Sequence, residues 1–360
     1  MTAAKPSRPA RPDAPADTAF HRRDGALWVE DVPLARIAAA VGTPVYAYSA
    51  AALRGHYTAL ADAVAPLGVR ICFAVKANSN INVLAEFAAL GAGMDIVSGG
   101  EMARTLAAGA PPERIIFSGV GKTRAEIRAA LQVGLSQINV ESPAELLVVA
   151  AVARELGLRA PVALRVNPDV DARTHAKITT GRKDSKFGIP AAEIPALYAM
   201  AVAQPELEVV GLAVHIGSQI LDLAPFRQAW TALAGLVRDL RAAGLPVTRL
   251  DLGGGLGIGT GSLPDPDLAG YARIIADTVS GLDLELNVEP GRWLCARAGA
   301  LITELLYLKP GDTADIGIVD AAMNDLMRPA LYDALHPVMP VHAPRPQGRG
   351  RVCRLVGPVC

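Results

Sequence analysis

The sequence predicts an α/β protein: a (β/α)8 barrel of the TIM type plus a mostly β domain built from both chain ends. Three observations carry this. From about residue 49 to residue 300, short β-branched runs alternate with alanine-rich stretches of helical period. Polar residues of unusual kind stand where those runs end. Beyond residue 300 strand-like runs follow one another without a helix between them.

In chain order, residues 1–19 are rich in Ala, Pro and Arg and lack the apolar stretch of a signal peptide; they read as a disordered tail. Residues 20–48 give short strands, such as 26–29 and 45–48, that can join the β domain. Residues 49–300 form the barrel. Its candidate strands are 71–75, 94–97, 114–117, 137–140, 162–166, 209–215, 248–252 and 284–288. Its candidate helices are 49–66, 80–90, 99–108, 123–133, 143–156, 191–203, 224–243 and 267–280. Eight alternations over about 250 residues match a (β/α)8 barrel, whereas a doubly wound sheet usually has fewer units. Residues 301–360 form the C-terminal part of the β domain, with strands at 301–307 and 315–319. The basic, Pro- and Gly-containing stretch 341–351 reads as a solvated loop. The chain stops at Cys360 directly after an apolar run, so this β domain is expected to be incomplete.

Composition narrows the function. Of 360 residues, 51% are hydrophobic and 19% charged, enough to bury a large core. Thirty-five basic residues balance 35 acidic ones, which argues against broad electrostatic binding to nucleic acid or an anionic membrane. The four cysteines, Cys72, Cys295, Cys353 and Cys360, form no CxxC pair. Neither a zinc site nor a disulfide framework is expected, and a reducing, cytoplasmic compartment is. No apolar run is long enough to span a membrane.

The strand ends carry the chemistry. Lys76 follows the apolar run 71–75. A lysine there is either a side chain that snorkels to water or a desolvated amine with a lowered pKa, able to attack an aldehyde and form an imine. Asp95 is a turn cap or a charge partner for Lys76. Arg165 and Asn167 end the fifth strand. His215 is a packed core histidine or a ring stacked on a planar ligand. Gly253, Gly254 and Gly255 follow the seventh strand, where they make a tight turn or a nest of N–H groups for phosphate. Barrels often bind phosphate after strands seven and eight. Glu289 either pairs with Arg292 or holds a proton on a pyridine nitrogen. Together these parts suggest pyridoxal phosphate as cofactor, its protonated ring acting as the electron sink for a carbanion.

With those residues assembled, the sequence closely resembles the fold-type III pyridoxal-phosphate decarboxylases and, within them, the diaminopimelate decarboxylases, from about residue 26 to the last. The matching stretches are 73–78 around Lys76, 215–219 from His215, 253–255, 289–292, 323–332 and 357–360. The stretch Arg328-Pro329-Ala330-Leu331-Tyr332 is the part that points to diaminopimelate rather than ornithine or arginine. The resemblance implies that Lys76 carries the cofactor, with Asp95 beside it, and that His215 stacks on the ring. It implies that Ser218, Gly253, Gly254, Gly255 and Gly291 hold the phosphate, and that Glu289 bonds the pyridine nitrogen. Arg292, Arg328 and Tyr332 are then the residues for the distal end of the substrate, whose carboxylate suits an arginine fork. Cys360 is then the proton donor, acting from the partner subunit of a homodimer whose active site lies at the interface. The implied reaction is decarboxylation of meso-2,6-diaminopimelate to L-lysine, the last step of lysine biosynthesis. The alternatives are a decarboxylase for another basic amino acid or polyamine precursor, and a catalytically inactive truncated homologue. Two departures stand out. The acidic residue, strands and tyrosine that follow the 357–360 motif in the family are not in this sequence, and Ala322 stands where the family usually has glycine.

Overall fold

The computed structural model describes residues 19–171, 181, 185–260, 263–343 and 351–359. Cys360, residues 344–350 of the expected loop and all but the last residue of the expected tail lie outside the described residues. The chain divides into two compact units: Leu53–Ala296, and the two end segments, up to Ala52 and from Arg297 onward.

The first unit is a closed barrel of eight parallel strands: β1 (Arg70–Ala74), β2 (Gly93–Ile96), β3 (Ile115–Phe117), β4 (Gln137–Val140), β5 (Ala160–Asn167), β6 (Leu207–Val214), β7 (Arg249–Asp251) and β8 (Glu285–Val288). Neighbours in sequence pair in parallel, and β8 closes on β1 through Asn287 opposite Arg70 and Val288 opposite Ile71. Every expected strand is present, with ends moved by at most two residues. Both faces of the strands are covered, and their outward-facing positions are apolar. Helices fill the intervals, from Ile81–Ala89 after β1 to Leu268–Thr278 before β8. Their starts are set locally. The side chains of Asn80, Ser98, Thr123, Ser142 and Asp267 each accept a hydrogen bond from the first turn, and Thr123 with Glu126 forms a reciprocal capping box. Each cap contributes about 1 kcal/mol.

The inner face of the barrel is not apolar. Asn139 on β4 bonds Asp251 on β7, and Arg249 on β7 bonds Gln137 on β4. Strands three places apart around a closed barrel can meet only across its interior. Asp95, Gln137, Asn139, Asp251 and Asn287 are all at most 2% exposed.

Glycine is required where the strand ends crowd together. A Cβ on Gly254 would lie 2.1 Å from the carbonyl oxygen of Glu289, and one on Gly253, at φ 72°, would lie 2.0 Å from that of Val214. Gly254→Ala is therefore expected to lower the unfolding free energy by about 1–3 kcal/mol. The shift in urea midpoint at unchanged slope reads it; an unmoved midpoint would show that the strand ends part freely.

The second unit contains three small sheets. Phe20–Arg23, Ala26–Val29 and Val32–Pro33 form an antiparallel meander, and Gly299–Ile302 pairs antiparallel with Val45–Tyr48. Leu305–Lys309, Asp315–Val319 and Cys353–Val356 form the third. Phe20, Leu27, Val29, Leu34, Ala47 and Ile302 make one buried cluster, so both chain ends do contribute to one core. Two local expectations are corrected. Residues 34–41 are a helix, Leu34–Val41, rather than part of a strand series: Leu34, Ile37 and Ala38 face the core at helical spacing. The expected strand 301–307 is two strands, broken where Thr303 and the N–H of Glu304 both bond the carboxylate of Asp320.

Candidate active site

Lys76 stands in a short 3-10 turn, Val75–Ala77, immediately after β1. The turn redirects the chain, so the side chain emerges at the C-terminal mouth of the barrel. Nζ lies 2.6 Å from Oδ2 of Asp95, which is itself fully buried on β2. The Lys76 side chain remains 44% exposed, open to a ligand from above although surrounding protein strips much of its water. The expectation of an unprotonated amine is overturned. Burial does favour the neutral form, but the Asp95 carboxylate, 2.6 Å away, outweighs it and raises the Lys76 pKa above its ordinary value. Lys76 therefore stands as an ammonium anchored on Asp95.

Glu289 follows β8 directly and is 5% exposed. Its Oε1 is buried without a hydrogen-bond partner. Burial, then the carboxylates of Asp251 and Asp95, push its carboxyl well above the usual range; Lys76 opposes them only in part. Glu289 bonds the Asp251 side chain, not Arg292. His215 follows β6. Burial, Arg165 and Lys76 hold its pKa well below the ordinary value, so the ring is neutral. Its Nδ1 accepts from the N–H of Gly254 at 3.1 Å, which places the ring proton on Nε2.

The glycine loop departs from the expected nest. The N–H of Gly253 donates to Oδ1 of Asp251 at 3.0 Å, and that of Gly254 is taken by His215. Both amides position side chains rather than an anion. Beside this loop the Arg292 guanidinium donates to the Ser218 hydroxyl at 3.2 Å, so a cation and a hydroxyl suited to an anion stand together on the rim. Gly291 packs against the turn that carries Lys76: a Cβ there would lie 3.0 Å from Cβ of Ala77.

Lys76, Asp95, His215, Ser218, Gly253, Gly254, Gly255, Glu289, Gly291 and Arg292 thus all stand at strand ends on one rim. Arg328 and Tyr332 open and close a short helix, Arg328–Tyr332, in the other unit. Burial lowers the Arg328 pKa, and its guanidinium contacts Nε2 of His336 at 3.3 Å. Cys360 lies outside the described residues. The sequence reading assigned no role to Asp251, Asn139 or Gln137, nor to the buried pair of Arg165 with Glu141 at 2.6 Å. One signal was available. Gln137 and Asn139 alternate in a four-residue strand, and that period marks one face.

A pyridine ring carrying an aldehyde and a phosphate fits these groups. The Lys76 amine suits the aldehyde, the orphaned Oε1 of Glu289 suits the ring nitrogen, and the Arg292 guanidinium beside the Ser218 hydroxyl suits the anion. The chain is a pyridoxal-dependent decarboxylase by family: the profile of that family's pyridoxal binding domain matches residues 51–296. The diaminopimelate decarboxylase of Pseudomonas aeruginosa is 52% identical over 95% of this chain and 82% of its own length, and that of Vibrio cholerae is 48% identical over 94% and 81%. The crystal structure of the Helicobacter pylori diaminopimelate decarboxylase, in complex with L-lysine, superposes with a TM-score of 0.85 at 39% identity, covering 91% of this chain and 82% of that one. The chain belongs to the diaminopimelate decarboxylase family.

Proposed function

We propose that the protein removes carbon dioxide from meso-2,6-diaminopimelate and releases L-lysine, with pyridoxal phosphate as cofactor. The observation that carries this is the pairing, on one barrel rim, of an accessible lysine amine with a buried carboxyl whose free oxygen lacks a partner. Family membership supports the substrate.

When bound, pyridoxal phosphate supplies an aldehyde for the amine and a protonated ring that accepts the electron pair left by the departing carboxylate. The residues do the rest. Asp95 anchors Nζ of Lys76 on the rim. The neutral imidazole of His215, locked by Gly254, offers a flat face without adding charge. Glu289 holds the proton that the ring nitrogen needs. Ser218 and Arg292, with the backbone at Gly255 and Gly291, hold the phosphate, while Gly253 and Gly254 shape the loop. Arg292, Arg328 and Tyr332 bind the distal end of the substrate, and Cys360 of a partner subunit returns a proton to the α-carbon.

We further read the protein as a homodimer with the active site at the interface. The strand Leu305–Lys309 is an edge of its sheet, and Leu305, Leu306, Tyr307 and Leu308 are 45–69% exposed, an apolar surface that a second copy can cover. A cytoplasmic location is supported by the free thiols of Cys72, Cys295 and Cys353. No helix among the described residues is long and apolar enough to cross a membrane.

The test is a panel of meso-diaminopimelate, L-ornithine, L-arginine and L-lysine with the cofactor-loaded protein, scoring carbon dioxide and the product amine. L-lysine should form from meso-diaminopimelate, with negligible turnover of the others. Arg328→Lys should lower kcat/KM for meso-diaminopimelate by about 10–100-fold, the value of a bidentate charged pair, with cofactor absorbance unchanged. Equal turnover of ornithine would overturn the substrate assignment.

A further inference from the structure

A single hydrogen-bonded chain crosses the barrel interior and ends on Glu289. Arg249 on β7, near the N-terminal mouth, donates to Oε1 of Gln137 at 3.2 Å. Gln137 donates through Nε2 to Oδ1 of Asn139 at 2.6 Å. Asn139 donates through Nδ2 to Oδ2 of Asp251 at 3.1 Å and to the Ser118 hydroxyl at 3.0 Å. Asp251 accepts again at Oδ1 from the N–H of Gly253, and its side chain stands within hydrogen-bonding reach of that of Glu289.

The direction of this chain is forced. A guanidinium has no acceptor, so Gln137 must turn its oxygen to Arg249 and its NH2 to Asn139. Asn139 must then give its own NH2 to Asp251. Two carboxyl groups can bond each other only when one of them carries a proton. Asp251 already receives two donors, which stabilise its charged form, whereas Glu289 has an oxygen with no donor at all.

We propose that Asp251, set by Asn139 and Gln137, is a positioning residue that keeps the shared proton on Glu289, so that the site itself presents the acid a pyridine nitrogen needs. This rests on the proposed cofactor. A bound pyridine nitrogen would take this proton from the Glu289 oxygen, leaving a carboxylate beside a pyridinium with total charge unchanged. Asp251 stays ionised throughout, held by Asn139 and Gly253. The other titratable groups facing Glu289 are Asp95, Lys76 and Cys72. Burial raises the Asp251 pKa, and hydrogen bonds from Glu289, Asn139 and Gly253 pull it back only in part; at Glu289, which is raised further, the bond to Asp251 adds to the rise.

The test uses the full chain without cofactor, so it does not depend on turnover. Infrared spectra at neutral pH are recorded with 13C-carboxyl glutamate or with 13C-carboxyl aspartate. In wild type, a protonated-carboxyl band should shift with labelled glutamate and vanish in Glu289→Gln. In Asp251→Asn, an isosteric change that offers Glu289 a donor in place of an acceptor, the glutamate band should be lost. In Gln137→Met, which unlocks Asn139 from a distance, part of the band should move to the aspartate label. Wild type without a glutamate band, or Asp251→Asn retaining it in full, overturns the proposal. Covalent trapping of pyridoxal phosphate on Lys76 tests the cofactor reading separately.

Discussion

Lys76→Ala is expected to abolish turnover, lowering kcat on the order of 10⁴–10⁶-fold, the loss seen when a covalent catalytic group is removed. Among the described residues, the buried lysine Lys122 offers no substitute. Its Nζ is bound by the carbonyls of Gly119 and Asn139 and by Glu145. The same substitution should also weaken the fold. Asp95 is fully buried and its Oδ1 already lacks a partner, so losing the ammonium leaves a carboxylate uncompensated. Breaking a buried ion pair by removing one member is costly; with Lys76 44% exposed, water reduces the expected cost to about 1–3 kcal/mol. Adding Asp95→Asn to Lys76→Ala should restore much of that stability and none of the activity. Denaturation and steady-state kinetics on the single and double variants check both effects. A double variant as unstable as Lys76→Ala would show that the pair is not the source.

Glu289→Gln is expected to lower kcat about 10²–10³-fold, the range for removing one preorganised electrostatic partner of a developing charge. The amide keeps the shape and can still meet Asp251, but it has no proton to give. Its effect on the cofactor-free protein should have the opposite sign. The Glu289 pKa in the fold lies well above its ordinary 4.5, so the folded state binds a proton that the unfolded chain has released. That contribution is complete below the ordinary value and is lost as pH rises through the raised one. As pH rises above the ordinary carboxyl range, wild type without cofactor should therefore lose more stability than Glu289→Gln. Parallel pH profiles would place the proton elsewhere.

How much of this could be read from the sequence differs between the two faces of each strand. The outer architecture was legible because helical period, capping residues and apolar runs are local signals, and the eight strands fall within two residues of where those signals put them. Lys76, His215 and Glu289 were legible as polar residues at the ends of apolar runs. The protonation of Lys76 was not. It depends on Asp95, nineteen residues away and one strand over, and burial alone points the wrong way. The core chain was hidden for the same reason. Gln137, Asn139, Arg249 and Asp251 come from β4 and β7, which touch only once the barrel closes. The glycine loop shows a third kind of limit. Its sequence is compatible with an anion nest, but only tertiary contact reveals that Asp251 and His215 already occupy two of its N–H groups. Helix Leu34–Val41 was missed because a short alanine-rich segment between strands shows its period only when its packing partners are known.

The decisive measurement is borohydride reduction of the protein after incubation with pyridoxal phosphate, followed by peptide mass mapping. A stoichiometric pyridoxyl-phosphate mass on the peptide containing Lys76, absent from Lys76→Ala, is the expected result. Label scattered over surface lysines, or no label on Lys76, would contradict the assignment of this rim as the cofactor site.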